Sequence, residues 1–399
     1  MRILLVTDWN RDRGGSEVYL LGLRDGLRKA GDEVRVLTSS AGSAADGSAD
    51  YVAYGSNRAA AQVLLQIVNP WAVRRVRQAV RAFRPDAIYL NNFAYHLSPA
   101  VFWACGSVPT ILGVTDYKCI CPLGSKLQPD GTMCAARMGS VCGRARCLSR
   151  PHQLRDKLRY ALIRPAVRRA TRVLACSAWV AKQLADNGIA SEHVPMPTPS
   201  SETRLPRLAA PDPLFVFCGR LSPEKGAPLL LRAFARLRNE SPRSRLRIIG
   251  VGPQQALLRR LILDFGLGDS VSFTGWLASE QLQRHLCDAW ALVIPSLWAE
   301  PFGLICVQAI VSGVPVIASS CGGSGEIVEP GISGLLFPNG DQDALLERMR
   351  TVARGAAFPG HVLLRDVTER VAAKYRMDRH IARLREIFGE IAAARESKS

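Results

Sequence analysis

The run Leu214-Phe215-Val216-Phe217-Cys218-Gly219-Arg220-Leu221-Ser222-Pro223-Glu224-Lys225-Gly226 carries the first decision about the fold. Its first five residues are apolar and free of turn formers, which reads as a buried strand. A polar loop bounded by glycines follows, and Ala227–Asn239 then repeats apolar residues at helical spacing. An apolar strand, a short loop and an amphipathic helix form the unit from which parallel sheets are wound.

The same unit recurs on both sides. Upstream, strands are expected over Ile3–Thr7, Val34–Thr38, Ala87–Leu90, Thr110–Val114 and Val173–Ser177, with a helix from Gly14 to about Ala30. Downstream, strands are expected over Leu246–Gly250, Val271–Thr274, Ala291–Pro295 and Val314–Ala318, with a helix over Gln254–Phe265. Between the two series, Pro195, Pro197, Pro199, Pro206, Pro211 and Pro213 crowd one stretch, as in an interdomain linker. The expectation is an α/β chain of two Rossmann-like doubly wound domains, 1–198 and 214–370, joined by a linker over 199–213. A helical, charged segment closes the chain over 371–399. Ligands of such sheets sit beyond the carboxyl ends of the strands.

Composition narrows the function classes. A chain of 399 residues with 48% hydrophobic and 22% charged residues suits a globular protein of two cores. The net charge of +18 attracts polyanions, phosphorylated small molecules and anionic membrane included. No helix-turn-helix, zinc finger or aromatic-interleaved basic strand accompanies it, so nucleic acid is not expected as a partner. The apolar part of the N-terminus is too short for a signal peptide, and no run reaches the ~18 apolar residues of a membrane span. The longest candidate, Leu97 to Val114, is broken by Pro99, Gly106 and Pro109. A cytoplasmic location is expected, and with it reduced cysteines.

Three loops carry chemistry. In Gly219 to Gly226, a guanidinium fork at Arg220 and an ammonium at Lys225 precede a helix N-terminus, an arrangement suited to a diphosphate. Both also suit the negative charge that grows on a departing nucleoside diphosphate. A solvated basic loop is the plain alternative. In Pro295-Ser296-Leu297-Trp298-Ala299-Glu300-Pro301-Phe302-Gly303-Leu304, the strand delivers Glu300 to the loop, where it can accept hydrogen bonds from sugar hydroxyls. Gly303 permits close backbone approach, and the N–H groups from Phe302 to Ile305 open a helix. The plain alternative makes Glu300 an ordinary first-turn helix acid. The third loop, Cys321-Gly322-Gly323-Ser324-Gly325-Glu326, follows another strand end. Asp341-Gln342-Asp343, the one Asp-x-Asp, is read as a helix cap rather than a metal site.

These three loops, in this order, resemble family 4 of the glycosyltransferases. Gly14-Gly15-Ser16-Glu17 is similar to that family's acceptor-side glycine loop, Phe273-Thr274-Gly275-Trp276-Leu277 to its base-binding strand end, and Gly331 to Phe337 to the turn and strand that follow. The resemblance covers nearly the whole chain. It implies a GT-B fold, with two Rossmann-like domains facing a cleft and the last helix crossing back to the first domain. It also implies a nucleotide-sugar donor and retention of anomeric configuration. By that likeness Arg220, Lys225 and Glu300 are the catalytic set. The donor is held by them and by Gly14, Gly15, Gly219, Gly275, Trp276, Phe302, Gly303, Leu304 and Gln308. Ser16, Glu17, Thr115, Asp116 and Tyr117 line the acceptor and sugar pocket. No metal or other cofactor is required for catalysis. The acceptor is a sugar, a lipid-linked molecule or a small molecule.

The chain departs from the pattern twice. Gln308 stands where the family has a second glutamate that contacts the ribose, and it brings no charge. Thr115, in Thr115-Asp116-Tyr117, stands where relatives carry a histidine that meets the donor sugar, which points either to a different donor near its 6-position or to a wetter pocket there. Both departures motivate a rival reading, a non-catalytic or impaired sugar-nucleotide-binding protein of the same fold.

Two features lie outside these motifs. Cys119, Cys121, Cys134, Cys142 and Cys147 crowd an insertion over 119–147. Cys121, Cys134, Cys142 and Cys147 are the best four for a tetrahedral structural zinc, against reduced thiols as the alternative. The arginines and lysines from Arg144 to Arg172 face a single acid, Asp156. From Gln153 to Ala170, residues Leu154, Leu158, Ala161, Leu162, Pro165 and Val167 fall at roughly helical spacing. This reads as a basic amphipathic helix, either peripheral at the inner face of an anionic membrane or simply a surface helix.

Overall fold

The structure, a computed structural model, describes residues 1–9, 14–42, 49–148, 150–198 and 208–396. Residues 199–207 of the expected linker lie outside them. The chain divides into two compact units, one of residues 1–130, 134–199 and 376–399, the other of residues 131–133 and 200–375.

Among the described residues the first unit holds a seven-stranded sheet, ordered β3-β2-β1-β4-β5-β6-β7. Its strands are β1 (Arg2–Thr7), β2 (Glu33–Ser39), β3 (Tyr51–Ala53), β4 (Ala87–Asn91), β5 (Thr110–Val114), β6 (Arg172–Ala175) and β7 (Glu192–His193). Every pairing is parallel. Ile3, Leu4, Leu5 and Val6 have no exposed surface, as expected of a strand covered by helices on both faces. The chain starts in the middle of the sheet, winds outward to β3 and returns beside β1 as β4. The strand order therefore reverses between β1 and β4, the place where such sheets open a crevice.

The second unit repeats the plan with six parallel strands, β10-β9-β8-β11-β12-β13. They are β8 (Leu214–Cys218), β9 (Arg245–Ile249), β10 (Val271–Gly275), β11 (Ala291–Ile294), β12 (Val316–Ser319) and β13 (Gly334–Phe337). The reversal here falls between β8 and β11. Phe215, Phe217, Leu230, Phe234, Ile248 and Val293 meet in its core. The expected α/β class with two Rossmann-like doubly wound sheets is the observed one.

The departures from expectation are local. The helices Ala59–Leu65 and Pro70–Phe83 and the strand β3 were not expected. Asn69 caps the second of these helices by accepting from the Ala72 N–H at 3.0 Å, with Pro70 at the first turn. Asp341 caps the helix Gln342–Ala353 through the Ala344 N–H at 2.9 Å, as expected. Residues 371–375, grouped in the sequence with the last helix, instead finish the helix Arg365–Lys374 and its cap. The basic helix spans Arg150–Val167, but its buried face is not the expected one. Leu154 and Leu158 point outward, 64% and 51% exposed, while Asp156, Arg159, Tyr160, Ile163 and Ala166 are buried. An Arg159–Asp156 ion pair of 3.4 Å takes the place that apolar spacing had reserved for leucines.

The last helix, Met377–Glu396, belongs to the first unit and lies on the helix Gly15–Lys29. Gly22 and Gly26 make room for it, since a Cβ at either would come within 3.0 Å of Met377 or Ile381. A buried chain of hydrogen bonds fastens the contact. His380 Nδ1 lies 3.0 Å from the Pro195 carbonyl, its Nε2 lies 2.9 Å from the Tyr19 hydroxyl, and Tyr19 meets the Tyr89 hydroxyl at 2.9 Å. A carbonyl only accepts, so Nδ1 carries the proton and Nε2 accepts from Tyr19. Burial pushes the His380 pKa down to about 4, so the imidazole is neutral.

Candidate functional site

In the second unit, the loops after β8 and β11 leave the sheet on either side of its reversal, and backbone contacts bind them together. Leu297 N–H donates to the Glu224 carbonyl at 2.9 Å. Gly226 turns with φ of +69°, and a Cβ there would meet the Pro295 carbonyl oxygen at 1.9 Å. Only glycine allows this approach.

The two loops then place Lys225 against Glu300. Lys225 Nζ donates to Oε1 at 2.7 Å and Oε2 at 3.0 Å, and Ser296 Oγ donates to Oε1 at 2.6 Å. Lys225 Nζ also stands 5.2 Å from the centre of the Trp298 ring. The side chains are only 21% and 10% exposed, so the pair is largely shielded from water. Burial pushes the Glu300 carboxyl up. The Lys225 charge, with hydrogen bonds from Lys225, Ser296 and Trp298, outweighs it and holds the group below its ordinary value. Glu300 is thus a fixed, ionised acceptor at neutral pH. It precedes the helix Leu304–Val311 and is not a first-turn acid.

The third loop closes over the same point. Glu300 and Gly322 form an isolated parallel bridge, and Gly323 N–H donates to the Glu300 carbonyl at 2.7 Å. Gly303, at φ of +100°, starts the helix Leu304–Val311, and a Cβ there would meet Ser324 Oγ at 2.6 Å. Cys306 N–H donates to the Gly303 carbonyl at 2.9 Å, so the Leu304 and Ile305 amides are the ones left at the open end of that helix. Gln308 lies one turn further along and is partly buried.

Arg220 behaves differently from Lys225. Its side chain is 68% exposed and its Nη2 lies 3.1 Å from Glu224 Oε1, which also accepts from Ser222 Oγ at 2.6 Å. It is a cation on a short tether at the rim. Gly275 ends β10 at φ of +77°, and Trp276 is 47% exposed just beyond it.

In the first unit, Asp8 leaves the end of β1 and crosses to the loop after β4. Its carboxylate accepts from the N–H groups of Tyr95, His96 and Leu97 at 2.7 to 2.8 Å. Asn91 Nδ2 donates to the Gly113 carbonyl at 3.1 Å and to Thr115 Oγ1 at 3.3 Å. Thr115, Asp116, Asn92 and Lys118 line one cavity there. Tyr117, expected in the pocket, has no exposed surface and is a core residue. Lys118, which carried no motif, takes its place: burial lowers its pKa, and its N–H donates to Asp116 Oδ1 at 2.8 Å. Gly14 precedes the helix Gly15–Lys29, with the Glu17 carboxylate folded over it, and Ser16 sits in the first turn.

Of the residues the sequence singled out in the second unit, the structure brings Lys225, Glu300, Gly303 and the loop over 322–324 together. Among the described residues no hydrogen bond or ion pair links Arg220, Gly275, Trp276 or Gln308 to the Lys225–Glu300 pair. Ser296 and Trp298 join the pair. Neither had a signal beyond lying between Pro295 and Glu300. The Lys225–Glu300 pairing itself had no signal in the sequence, because it depends on β8 and β11 being neighbours in the sheet. Among the described residues no three His, Cys, Asp or Glu side chains stand where they could hold a metal ion, so Cys121, Cys134, Cys142 and Cys147 do not fit a zinc site.

Comparison with known proteins follows the same division. Residues 14–198 match the glycosyl transferase 4-like domain, and residues 203–357 match the glycosyl transferases group 1 family. A GDP-mannose-dependent alpha-(1-6)-phosphatidylinositol monomannoside mannosyltransferase of Mycobacterium tuberculosis is 33% identical over 215 residues, 50% of this chain and 54% of its own. A D-inositol 3-phosphate glycosyltransferase of Nocardia farcinica is 32% identical over 38% of each chain. The matches thus span about half or less of these curated relatives. Among solved structures, a sucrose-phosphate synthase from Thermosynechococcus elongatus superposes with a TM-score of 0.75 at 21% identity, covering 98% of this chain and 99% of that one. Anabaena HepE in complex with UDP superposes at 0.68 and 19% identity, covering 98% and 100%. The fold is the two-domain Rossmann-like GT-B fold.

Proposed function

With glycosyltransferase domains of the family 4 type matched over both halves of the chain, we propose that it transfers a sugar from a nucleoside-diphosphate sugar to an acceptor hydroxyl, with retention and without a metal. The observation that carries this reading is the shielded Lys225–Glu300 pair between β8 and β11.

The donor diphosphate lies between Arg220, Lys225 and the first amides of the helix Leu304–Val311. Exposed Arg220 swings from Glu224 to the phosphates. Glu300, held ionised, accepts from hydroxyls of the donor sugar. As the bond from the anomeric carbon to phosphate oxygen breaks, negative charge grows on the diphosphate. The Lys225 ammonium is already fixed and partly dehydrated beside it, so little reorganisation is needed. The acceptor oxygen bonds to the anomeric carbon on the face the phosphate leaves, and its proton passes to the departing phosphate. This route asks for no side-chain base, and the two cations with the helix amides supply the charge stabilisation a metal would otherwise provide. The UDP held by HepE and the GDP-mannose dependence of the mycobacterial relative favour a uridine or guanosine diphosphate donor. Thr115 and Gln308 tune which sugar and how the ribose is held. On the first unit, Leu154 and Leu158 stand outward among arginines and lysines, a surface suited to anionic membrane.

Incubation with UDP- and GDP-sugars tests the reading. Release of nucleoside diphosphate, lost in Glu300→Gln and reduced in Arg220→Ala, supports it. Binding without any donor turnover contradicts it in favour of a sugar-nucleotide-binding protein.

A further inference from the structure

The stretch between Asp50 and Asp86 contains no acidic residue and six arginines: Arg58, Arg74, Arg75, Arg77, Arg81 and Arg84. It forms β3, an edge of the first sheet, and the helices Ala59–Leu65 and Pro70–Phe83 that lead back to β4. Along the second helix Ala72, Val76, Ala79 and Phe83 are buried, and their spacing of three and four residues puts them on one face. Arg74, Arg77 and Arg81 repeat at the same spacing on the exposed side, and Arg84 follows at its end. The two flanking acids are engaged elsewhere. Asp50 pairs with Arg35 at 2.8 Å, and Asp86 accepts from the Arg2 N–H at 2.7 Å. The arginines therefore present positive charge with no acid of their own segment beside them.

Apolar side chains share this surface. Where one helix turns into the next, Leu64, Val68 and Trp71 are 69%, 45% and 55% exposed. The Trp71 ring meets the Tyr54 ring at 5.3 Å between centres, and Tyr54 is itself half exposed, with Val52 outward on β3. Single exposed apolar residues are ordinary, but a group of them rimmed by charge marks a contact surface. The turn that carries them is anchored. Asn69 has no exposed surface; its Nδ2 donates to the Tyr54 carbonyl at 2.8 Å and the His96 carbonyl at 2.7 Å, and its N–H donates to Ser98 Oγ at 3.0 Å. The outward side chains are thus held by a fixed backbone.

We propose that this edge seats the chain on an anionic lipid bilayer, with Leu64, Val68 and Trp71 entering the boundary between headgroups and acyl chains and Arg58, Arg74, Arg77 and Arg81 holding lipid phosphates. A guanidinium is weakly hydrated and matches phosphate oxygens in pairs. Tryptophan and tyrosine rings settle at headgroup level, and outward leucine and valine leave water there. A nucleic acid would satisfy the arginines and the rings but would leave Leu64 and Val68 in water, so lipid suits the whole surface better. These residues lie on different elements from the basic helix Arg150–Val167, whose outward leucines are Leu154 and Leu158. The inference does not depend on the donor site or on its turnover.

The test sediments the full-length protein with vesicles of phosphatidylcholine alone and of phosphatidylcholine mixed with phosphatidylglycerol. Binding to the mixed vesicles is expected, weakening as salt is added, with little binding to phosphatidylcholine alone. Each arginine near such a surface contributes about fivefold, so Arg74→Gln combined with Arg77→Gln is expected to weaken binding about 25-fold. Brominated acyl chains are expected to quench the tryptophan fluorescence of the wild type, and Trp71→Phe to remove most of that quenching. The changed side chains are exposed, and circular dichroism checks the fold of each variant without reference to the donor site. No binding to the mixed vesicles overturns the proposal. So does binding that survives the arginine changes but is lost in Leu154→Ser combined with Leu158→Ser. A lipid-free dimer that Leu64→Ser dissolves, or capture of duplex DNA or RNA as tight as that of vesicles with no quenching by brominated lipid, also overturns it.

Discussion

Lys225 and Glu300, 75 residues apart in the chain, share two hydrogen bonds of 2.7 and 3.0 Å at the place where the second sheet reverses its strand order. Lys225 holds Glu300 ionised. Removing one partner leaves the other buried and uncompensated, which typically costs about 3–5 kcal/mol. Lys225→Met is expected to lower thermal stability by an amount in that range at neutral pH. Glu300→Gln added to it is expected to restore part of the loss. A double variant no more stable than Lys225→Met contradicts the coupling.

The pH dependence of the same pair has a definite sign. Glu300 has a folded pKa below its unfolded value of about 4.3. Its contribution is therefore complete above the unfolded value and is lost as pH falls through the folded one. The stability gap between wild type and Glu300→Gln is expected to be widest near neutrality and to shrink on acidification. Melting curves across that window give the answer, and a gap independent of pH counts against an ionised Glu300.

His380 makes the last helix sensitive to acid. Its folded pKa of about 4 lies below the ordinary value near 6.5, so its contribution is complete above the ordinary value and fades as pH falls toward 4. His380→Phe is expected to cost about 1–3 kcal/mol, because the Tyr19 hydroxyl and Pro195 carbonyl lose their partner. Protection factors for hydrogen exchange over Met377–Glu396, corrected for the intrinsic pH dependence of exchange, are expected to fall in the variant, and in the wild type as pH drops. Unchanged protection in both cases contradicts the role of the chain.

Gly322→Ala tests the backbone that positions Glu300. The new Cβ would meet the Glu300 carbonyl oxygen at 2.4 Å and its nitrogen at 2.6 Å, at a φ of +72°. That φ with a ψ of −162° is a conformation essentially confined to glycine and costs another residue about 1–3 kcal/mol, and the clash displaces the bridge. Donor turnover is expected to be lost in soluble, folded protein. Full turnover in that variant removes the bridge from the site.

The strand-loop-helix units were legible because two-sided burial makes the central strands apolar, as over 3–6 and 214–217. The glycine loops were legible for a related reason: Gly226 and Gly322 stand where backbone approaches backbone, Gly303 stands against the Ser324 hydroxyl, and all three adopt positive φ. The pairing of Lys225 with Glu300 was not, because loop residues far apart in sequence leave no periodic trace of their contact. Nor was the buried face of Arg150–Val167, since an Arg159–Asp156 pair inside it looks from sequence like solvent-facing charge. Tyr117 was misplaced for the opposite reason. It stands between two cavity residues, Asp116 and Lys118, yet its side chain turns into the core.

Titration of nucleotides into the folded protein addresses the diphosphate site without requiring knowledge of the acceptor. UDP or GDP is expected to bind, with the matching monophosphate weaker by about 10- to 100-fold, the loss of one or two charge-assisted hydrogen bonds. Arg220→Ala, whose exposed side chain can be removed without disturbing the core, is expected to abolish most of that preference. Equal affinity for monophosphate and diphosphate, unaffected by Arg220→Ala, would contradict a donor site built on Arg220, Lys225 and Glu300.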